Sequence, residues 1–396
     1  MVKRLLLPML LVGAAAARAA AAPCDQLPNP IYLQVGDTQA NLMKRLGRAL
    51  RDNTAKPITL VYSTSGSCTN IQAIYTRVAL PANTNMNYIP STAEDGAWTP
   101  ASATRTCTVP AGGVVPDIAN SALFNSACTT DPPPATVNLS YGPVQAYVLA
   151  VPEASSQTAI TAEEAYFVFG FGQGGMVAPW DDETQLFIRT ITKSTLLAWA
   201  ANISVPADKW KGVRFDGSPM VVSALQGSTA PEKAIGILGV EVYDGLRDTL
   251  DSLAFRAFHQ YAAYYPDSTA TAHDKQNVRD GHYTVWSPTV WMDTVDGGGQ
   301  PVKPDARYVI DLIAGKTVAP AADFDMVSIV AAVGLVPNCA MGVQRSFEGG
   351  PLSLYTPAQS CTCKYDSIVA QTSCSTCSAQ SPCATGVCRA GYCEVR

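Results

Sequence analysis

Small hydroxyl and glycine residues recur where apolar segments of this sequence end, and they are the residues best suited to chemistry. Four such turns are Gly36-Asp37-Thr38, residues 63–67, Asn120-Ser121 and residues 190–195, and Arg189 stands just before the last of them. Hydroxyl groups, the N–H donors of helix starts and a guanidinium fork together bind an anion or a polar solute without covalent chemistry. One Ser/Thr/Gly turn alone is more often a helix cap, so the indication comes from all four together.

The sequence lacks the common motifs of enzyme catalysis. It has three histidines and contains no H-E-x-x-H helix, G-x-S-x-G elbow or G-x-x-x-x-G-K-[ST] loop. The glycine-rich residues 170–175 are not followed by the Lys-Ser/Thr pair that a phosphate-binding loop requires, so we interpret them as a turn. We therefore expect a protein that is not an enzyme and that carries no cofactor.

One polar cluster leaves an alternative open. Asp267, His273, Asp274, Asp280 and His282 are close in sequence and include metal-ligating residue types. Their spacing fits no known metal site, and a polar surface loop explains them equally well. A secreted hydrolase would require these side chains to converge around a metal ion.

Alternating strand-like and helix-like segments must position the hydroxyl turns. Residues 31–35 and 58–62 are short apolar strand candidates, and Leu42, Leu46 and Leu50 recur between them at the spacing of one helix face. This order predicts an α/β fold with a parallel sheet, in which ligands bind beyond the carboxyl ends of the strands.

Later segments continue the alternation. Residues 144–151 and 234–242 are apolar runs typical of buried strands. Residues 161–170 are predicted to form a helix capped by Thr161, and residues 250–263 are predicted to form another.

The order of these segments resembles the phosphate-binding protein of bacterial ABC importers, which has the type II periplasmic-binding fold. Residues 35–40 resemble its first Gly/Thr turn, residues 62–68 its Ser/Gly-rich turn, and residues 117–122 its D-[FI]-[GA]-x-S-D segment. Residues 179–182 resemble its tryptophan-aspartate turn, and residues 189–195 its R-x-x-x-S-G-T segment. The likeness runs in order from about residue 31 to residue 313 and does not include the C-terminal cysteines.

The resemblance implies an α/β protein of two lobes that closes around an anion, phosphate or another oxyanion, in the cleft between them. Lobe 1 would comprise residues 23–151 and 283–345, and lobe 2 residues 152–282. The ligand-binding residues implied are Thr38, Ser65, Ser67, Ser121, Arg189, Lys193, Ser194 and Thr195.

Two departures from the family pattern affect the expected ligand. Ala122 stands where the family has an acidic residue that accepts a proton from phosphate, and Lys193 and Ser194 replace its serine and glycine. The loss of an acceptor and the gain of a cation relax discrimination among anions. Arg189 has an alternative role as the partner in a salt bridge to the neighbouring lobe. An alternative function is therefore an extracellular structural or adhesion protein with a degenerate cleft.

The first 22 residues have the features of a signal peptide. Lys3 and Arg4 precede a Leu-rich core at residues 5–12, and small residues follow at residues 14–22. The apolar core is shorter than the roughly 20 residues that span a bilayer. An amphipathic first helix and lipidation at Cys24 are the weaker alternatives. We expect export to the periplasm or to the extracellular space.

Twelve cysteines lie beyond the predicted signal peptide, and an even number in an exported chain indicates disulfides. The sequence does not determine how they pair. Seven of them crowd into residues 361–393, so residues 346–396 are predicted to form a small disulfide-rich segment. Cys374 and Cys377 have the spacing of zinc ligands, which keeps a zinc knuckle open as the alternative.

Charge and composition limit the partners. Charged residues make up 15% of the chain and the net charge is −5, with no basic patch, so we expect no nucleic-acid partner. The expected partners are a small anionic solute, phosphate-like, and an ABC permease.

Overall fold

The computed structural model describes residues 22–370, 374–378 and 380–394, so the predicted signal peptide lies outside the described residues except for Ala22. The α-helices are α1 (Ala40–Asp52), α2 (Ser67–Tyr75), α3 (Ala162–Phe171), α4 (Ser194–Asn202), α5 (Ser218–Gln226), α6 (Val240–Tyr243), α7 (Gln276–Arg279), α8 (Pro304–Ile313), α9 (Met326–Ala331) and α10 (Thr362–Val369). The strands are β1 (Pro30–Gly36), β2 (Thr59–Ser65), β3 (Asn85–Tyr88), β4 (Arg105–Thr108), β5 (Ile118–Ser121), β6 (Val137–Pro152), β7 (Ala159–Thr161), β8 (Leu186–Arg189), β9 (Val213–Phe215), β10 (Ile235–Gly239), β11 (Leu250–Ser252), β12 (Ala254–Arg256), β13 (Trp286–Thr294), β14 (Val343–Gln344), β15 (Ser353–Leu354), β16 (Val387–Arg389) and β17 (Tyr392–Glu394).

One continuous sheet organises the molecule, in the order β4-β3-β2-β1-β5-β13-β6-β10-β8-β9, with β11 added beside β6. The pairs β1–β2, β1–β5, β8–β10 and β8–β9 are parallel, as the alternating pattern predicts. The central strands β13 and β6 run antiparallel to each other. Because β6 also pairs with β10, these two long strands connect the two parallel halves.

Each parallel half has its own apolar core. In the first, which we call lobe 1, Leu42, Leu46 and Leu50 of α1 pack against β1, β2 and α8, as their spacing predicts. In the second, which we call lobe 2, the ends of β6, β8 and β10 pack with α3 and α4 around the buried Trp199. The boundaries predicted at residues 151, 282 and 345 stay predictions.

The structure confirms one predicted helix in detail and corrects another segment. Thr161 caps α3 and forms a capping box with Glu164. The predicted helix at residues 250–263 is wrong, because β11 pairs with β6 and β12 pairs with β7. Most side chains of residues 250–255 are buried, and Leu253 and Phe255 are fully buried in the lobe 2 core. Burial against neighbouring strands thus overrides the local helical pattern.

All cysteines are paired, as predicted from their number. The pairs are Cys24–Cys107, Cys68–Cys128, Cys339–Cys361, Cys363–Cys374, Cys377–Cys388 and Cys383–Cys393. These bonds take up Cys374 and Cys377, so the zinc-knuckle alternative is not what the structure shows. The bond of Cys24 to Cys107 likewise leaves no free thiol at Cys24 for a lipid. Within the described residues, no helix has both the length and the apolar character to cross a bilayer.

Candidate functional site

Helices begin soon after the strands that carry the predicted ligand residues. β1 leads through a 3-10 turn at Asp37–Gln39 into α1, and β2 ends at Ser65 before α2 begins at Ser67. In lobe 2, β8 ends at Arg189 and α4 begins at Ser194. The free N–H donors and the positive dipole ends of α1 and α4 therefore lie near the carboxyl ends of parallel strands, which favours negative charge there.

The predicted hydroxyl groups of lobe 1 differ in how they are engaged. Thr38 is 3% exposed, and its Oγ1 has no hydrogen-bond partner among the described residues. The Oγ of Ser67 accepts from the Ala122 N–H at 3.1 Å, and the Oγ of Ser121 donates to the Leu123 carbonyl at 2.8 Å. Ser67 and Ser121 thus hold the turn after β5, whereas the buried Thr38 hydroxyl is not used by any described protein group.

Arg189 is fully buried, and each of its three nitrogens donates to a protein group. Nη2 donates to Asp37 Oδ2 at 2.6 Å and to the Asp216 carbonyl at 2.7 Å. Nη1 donates to Ser218 Oγ at 2.6 Å, and Nε donates to the Phe215 carbonyl at 3.3 Å. Because Asp37 belongs to lobe 1, this is the salt bridge between lobes that the sequence left open as the alternative role of Arg189.

Lys193 is the nearly buried cation of the site. It is 6% exposed, and its Nζ lies 3.3 Å from Oδ1 of Asp216, whose side chain is 80% exposed. The Lys193 ammonium lowers the pKa of Asp216 and so holds it ionised. Thr195, two residues further on, is fully buried and its Oγ1 has no partner among the described residues.

Tyr147 connects the two sets of predicted residues. Its hydroxyl donates to the Ala122 carbonyl of lobe 1. Burial raises the pKa of Tyr147 far above its ordinary value, while a hydrogen bond from Ser194 of α4 lowers it. The chain Ser67–Ala122–Tyr147–Ser194 therefore crosses between the lobes, and Tyr147 was not among the predicted site residues.

A cavity of about 590 Å³ lies between the turn after β1 and the turn after β8, and we call it the cleft cavity. Thr38 and Lys193 line it directly, and Arg189 borders it through Asp37 and Ser218, which also line it. The other predicted ligand residues do not line the cleft cavity. They are Ser65, Ser67, Ser121, Ser194 and Thr195.

Glu241 adds a buried carboxyl group to the cleft cavity. It is 6% exposed, and neither of its carboxyl oxygens has a hydrogen-bond partner among the described residues. Burial raises the pKa of Glu241 far above its ordinary value, and the carboxylates of Asp37 and Asp244 raise it further. These effects favour the protonated carboxyl, which both donates and accepts hydrogen bonds. Glu241 is the second residue after the end of β10. Polar residues just after predicted strands were the candidates from the sequence, and the same search at residues 235–239 would have selected Glu241.

The acidic and histidine cluster of the hydrolase alternative does not converge. Asp267 accepts from Arg247 at 2.6 Å and from the Lys275 ammonium at 2.9 Å, in a buried ion network. Asp280 instead lies 2.7 Å from Nδ1 of the exposed His282. In the part of the chain that the structure describes, no group of His, Asp and Glu side chains has the arrangement of a metal site.

Comparison with solved structures identifies the fold. The chain is similar to a putative phosphate ABC transporter substrate-binding protein with bound phosphate from Clostridium perfringens, at 15% identity and a TM-score of 0.52, covering 78% of this chain and 99% of that chain. An ABC-type phosphate transport receptor from Vibrio cholerae matches at 11% identity and a TM-score of 0.48, covering 78% and 100% of the two chains. The reduced OxyR regulatory domain from Pseudomonas aeruginosa matches at 10% identity and a TM-score of 0.40, covering 72% of this chain and 96% of that chain.

No model of a known protein family matches the chain, and no curated protein matches its sequence. At 15% identity the first likeness establishes the fold and says nothing of the ligand, and the two weaker ones add no argument. The chain has the two-lobed α/β fold of the periplasmic-binding proteins, as its ordered segments predicted, with a disulfide-rich segment following it.

Proposed function

We propose that this chain is an exported solute-binding protein that holds a small oxyanion between its lobes and delivers it to an ABC-type permease. The observation that most supports this function is the cleft cavity, which is lined by Lys193 and by Thr38, whose hydroxyl has no hydrogen-bond partner among the described residues. The lobes close on the ligand by a hinge motion at the two connecting strands, and no covalent bond is made or broken.

The charge of Lys193 supports an anionic ligand. Its ion-pair partner within 4.0 Å, among the described residues, is the exposed Asp216, and an exposed carboxylate contributes little to holding a nearly buried ammonium. An oxyanion in the cleft cavity would accept hydrogen bonds from Lys193 and Thr38, and the positive end of the α1 dipole would add to the attraction.

Glu241 supports a ligand that carries its own proton donor or acceptor. As a protonated carboxyl it donates to one ligand oxygen and accepts from a ligand hydroxyl. It would thus supply, from lobe 2, the acidic group that the family resemblance places at position 122, where this chain has alanine. A partly protonated oxyanion such as phosphate fits these groups better than sulfate, which has no proton at neutral pH.

Export is supported by two independent features. The chain has six disulfides, and disulfide bonds form and persist in oxidising compartments outside the cytosol. The basic, apolar and small-residue order of residues 1–22 is that of a signal peptide. The permease and the choice between periplasm and extracellular space are part of the proposal.

Titration calorimetry of the mature chain with phosphate and sulfate tests the function. We expect phosphate to bind, with Lys193→Gln weakening its binding by about tenfold or more, since hydrogen bonds to charged groups contribute about 1.5–3 kcal/mol. Lys193→Arg, which keeps the charge, is the matched control and should retain most of the affinity. If the folded wild type binds neither anion, the transport function is wrong.

The full engagement of Arg189 favours a second candidate, a structural or adhesion protein whose cleft is permanently closed. In that case Asp37 acts as a fixed internal substitute for an anion. Asp37→Asn distinguishes the two candidates. A binding protein should change its anion affinity when Arg189 loses this partner, whereas a permanently closed protein should show no anion binding with or without Asp37.

A further inference from the structure

A second cavity, of about 360 Å³, lies beside β6 and β13, the strands that connect the lobes. Its walls include four aromatic side chains, Phe124, Tyr141, Trp286 and Tyr355, together with Arg345. We call it the Trp286 pocket. The residues proposed to bind the oxyanion do not line it, and its volume lies within the range of small-molecule sites.

Arg345 brings a cation with unused donors to this pocket. Its Cζ lies 4.2 Å from the centre of the Trp286 ring, and its Nη2 donates to the Thr284 carbonyl at 2.8 Å. Its Nε and Nη1 are buried and have no hydrogen-bond partner among the described residues. Burial lowers the pKa of Arg345 to about 10, so the guanidinium remains charged at neutral pH.

Other polar atoms beside the Trp286 pocket are also incompletely paired. Trp286 Nε1 is a buried donor that no acceptor among the described residues engages. Oε2 of Glu348 accepts from Ser287 Oγ at 2.8 Å, while its Oε1 has no hydrogen-bond partner in the part of the chain that the structure describes. Burial raises the pKa of Glu348 to about 7, so this carboxyl only partly balances the charge of Arg345 at neutral pH. Unpaired buried donors are costly, and a bound acceptor removes that cost.

We propose that the Trp286 pocket binds a small organic monocarboxylate with an aromatic or branched aliphatic body. The ring walls pack against the apolar body, and Arg345 gives the carboxylate a charge-assisted hydrogen bond. A multiply charged inorganic anion does not fit, because one arginine against apolar walls cannot repay the loss of its hydration. This site is separate from the cleft cavity and does not depend on the oxyanion proposal.

Titration of the mature protein with phenylacetate, benzoate and indole-3-acetate, each beside its uncharged amide, tests the proposal. We expect at least one acid to bind, and to bind about tenfold or more tightly than its amide, because the amide lacks the charge that Arg345 recognises. Arg345→Gln should remove this preference. Lys193→Gln should leave it unchanged, which separates this site from the cleft cavity.

Charge changes at the exposed rim residue Gln344 provide a second test that does not disturb the core. Gln344→Lys should strengthen and Gln344→Glu should weaken acid binding, by a few-fold each, while amide binding stays constant. Equal affinity for acid and amide, failure of all three acids to bind at millimolar concentration, or an unchanged preference in Arg345→Gln would each overturn the proposal.

Discussion

At the scale of single residues, acidic side chains decide how the cations of the cleft are used. Asp37 forms a salt bridge with Arg189, so the guanidinium of Arg189 connects the two lobes and is not free to bind a ligand. Among the described residues, the ion-pair partner of Lys193 is the exposed Asp216, so Lys193 is the cation that we propose for binding an anion. Glu241, with a raised pKa, adds a group that changes from neutral to charged as the pH rises.

Replacement of Glu241 by glutamine should reveal its buried proton. The raised pKa means that the wild-type stability from this group is complete below the ordinary glutamate pKa of about 4.3 and is lost as the pH rises toward the folded-state pKa. Glu241→Gln does not titrate, so its free energy of unfolding relative to wild type should increase as the pH rises above about 4.3. Urea unfolding at a series of pH values measures this, with the exposed Glu153→Gln as control. If the difference in unfolding free energy between Glu241→Gln and wild type did not vary with pH, the raised pKa of Glu241 would be contradicted.

The predicted hydroxyl residues were found at strand ends, but the groups that pair with them could not be read from the sequence. Thr38 and Lys193 were implied by the family resemblance, and both line the cleft cavity. The Asp37–Arg189 pair joins residues 152 positions apart, and Tyr147 reaches Ala122 from inside an apolar strand. Such contacts depend on how the lobes pack, and no local spacing contains that information.

At the scale of elements, helices begin at or near the turns predicted to bind the ligand, and α3 shows how strongly a local sequence can specify a helix start. The Thr161 side chain accepts from the Glu164 N–H at 3.1 Å, and the Glu164 carboxylate accepts from the Thr161 N–H at 2.8 Å. Glu163 also lies in the first turn, where the helix dipole favours an acid. All of these groups are adjacent in sequence, which is why this helix could be predicted.

Removal of the α3 cap should cost stability without affecting binding. Thr161→Ala is expected to lower the free energy of unfolding by about 1 kcal/mol, the usual contribution of a capping side chain. Thr158→Ala, in the exposed loop just before β7, is the matched control and should have little effect. Chemical unfolding checks both variants, and equal losses in the two would show that the capping box contributes nothing.

The segment at residues 250–263 shows where element prediction failed. Its apolar residues allow a helix, yet β11 pairs with β6 and β12 pairs with β7. The partner strands β6 and β7 are distant from this segment in the sequence. Short apolar runs are ambiguous between helix and strand, and the partner strand decides between them. By contrast, the Leu42, Leu46 and Leu50 spacing fits only one type of element, and α1 formed as predicted.

At the scale of the whole molecule, the disulfide-rich segment is fastened to lobe 2 through α10. The Cys339–Cys361 bond joins them, and Arg279 Nη1 forms an ion pair with Asp366. Glu394 folds back to accept from the first backbone N–H groups of α10. The segment is therefore docked on the domain, although its sequence contains too few apolar residues to build a core.

The double variant Cys339→Ser/Cys361→Ser should weaken this attachment. Loss of a disulfide that closes a loop of 22 residues costs about 3 kcal/mol of unfolding free energy. Cys377→Ser/Cys388→Ser, within the exposed segment, is the control and should affect the unfolding of the lobes much less. Thermal unfolding with limited proteolysis separates the two effects. Equal stability of both double variants would show that the bond does not anchor the segment.

The central claim is that a small oxyanion binds between Thr38 and Lys193 in the cleft cavity. Anomalous diffraction from crystals soaked in arsenate, whose arsenic marks the anion and which keeps a proton at neutral pH as phosphate does, tests this most directly. We predict an anomalous peak within hydrogen-bond distance of the Lys193 ammonium and the Thr38 hydroxyl, lost in Lys193→Gln and displaced by phosphate. Peaks confined to the outer surface, or a cleft peak that persists without Lys193, would contradict the claim.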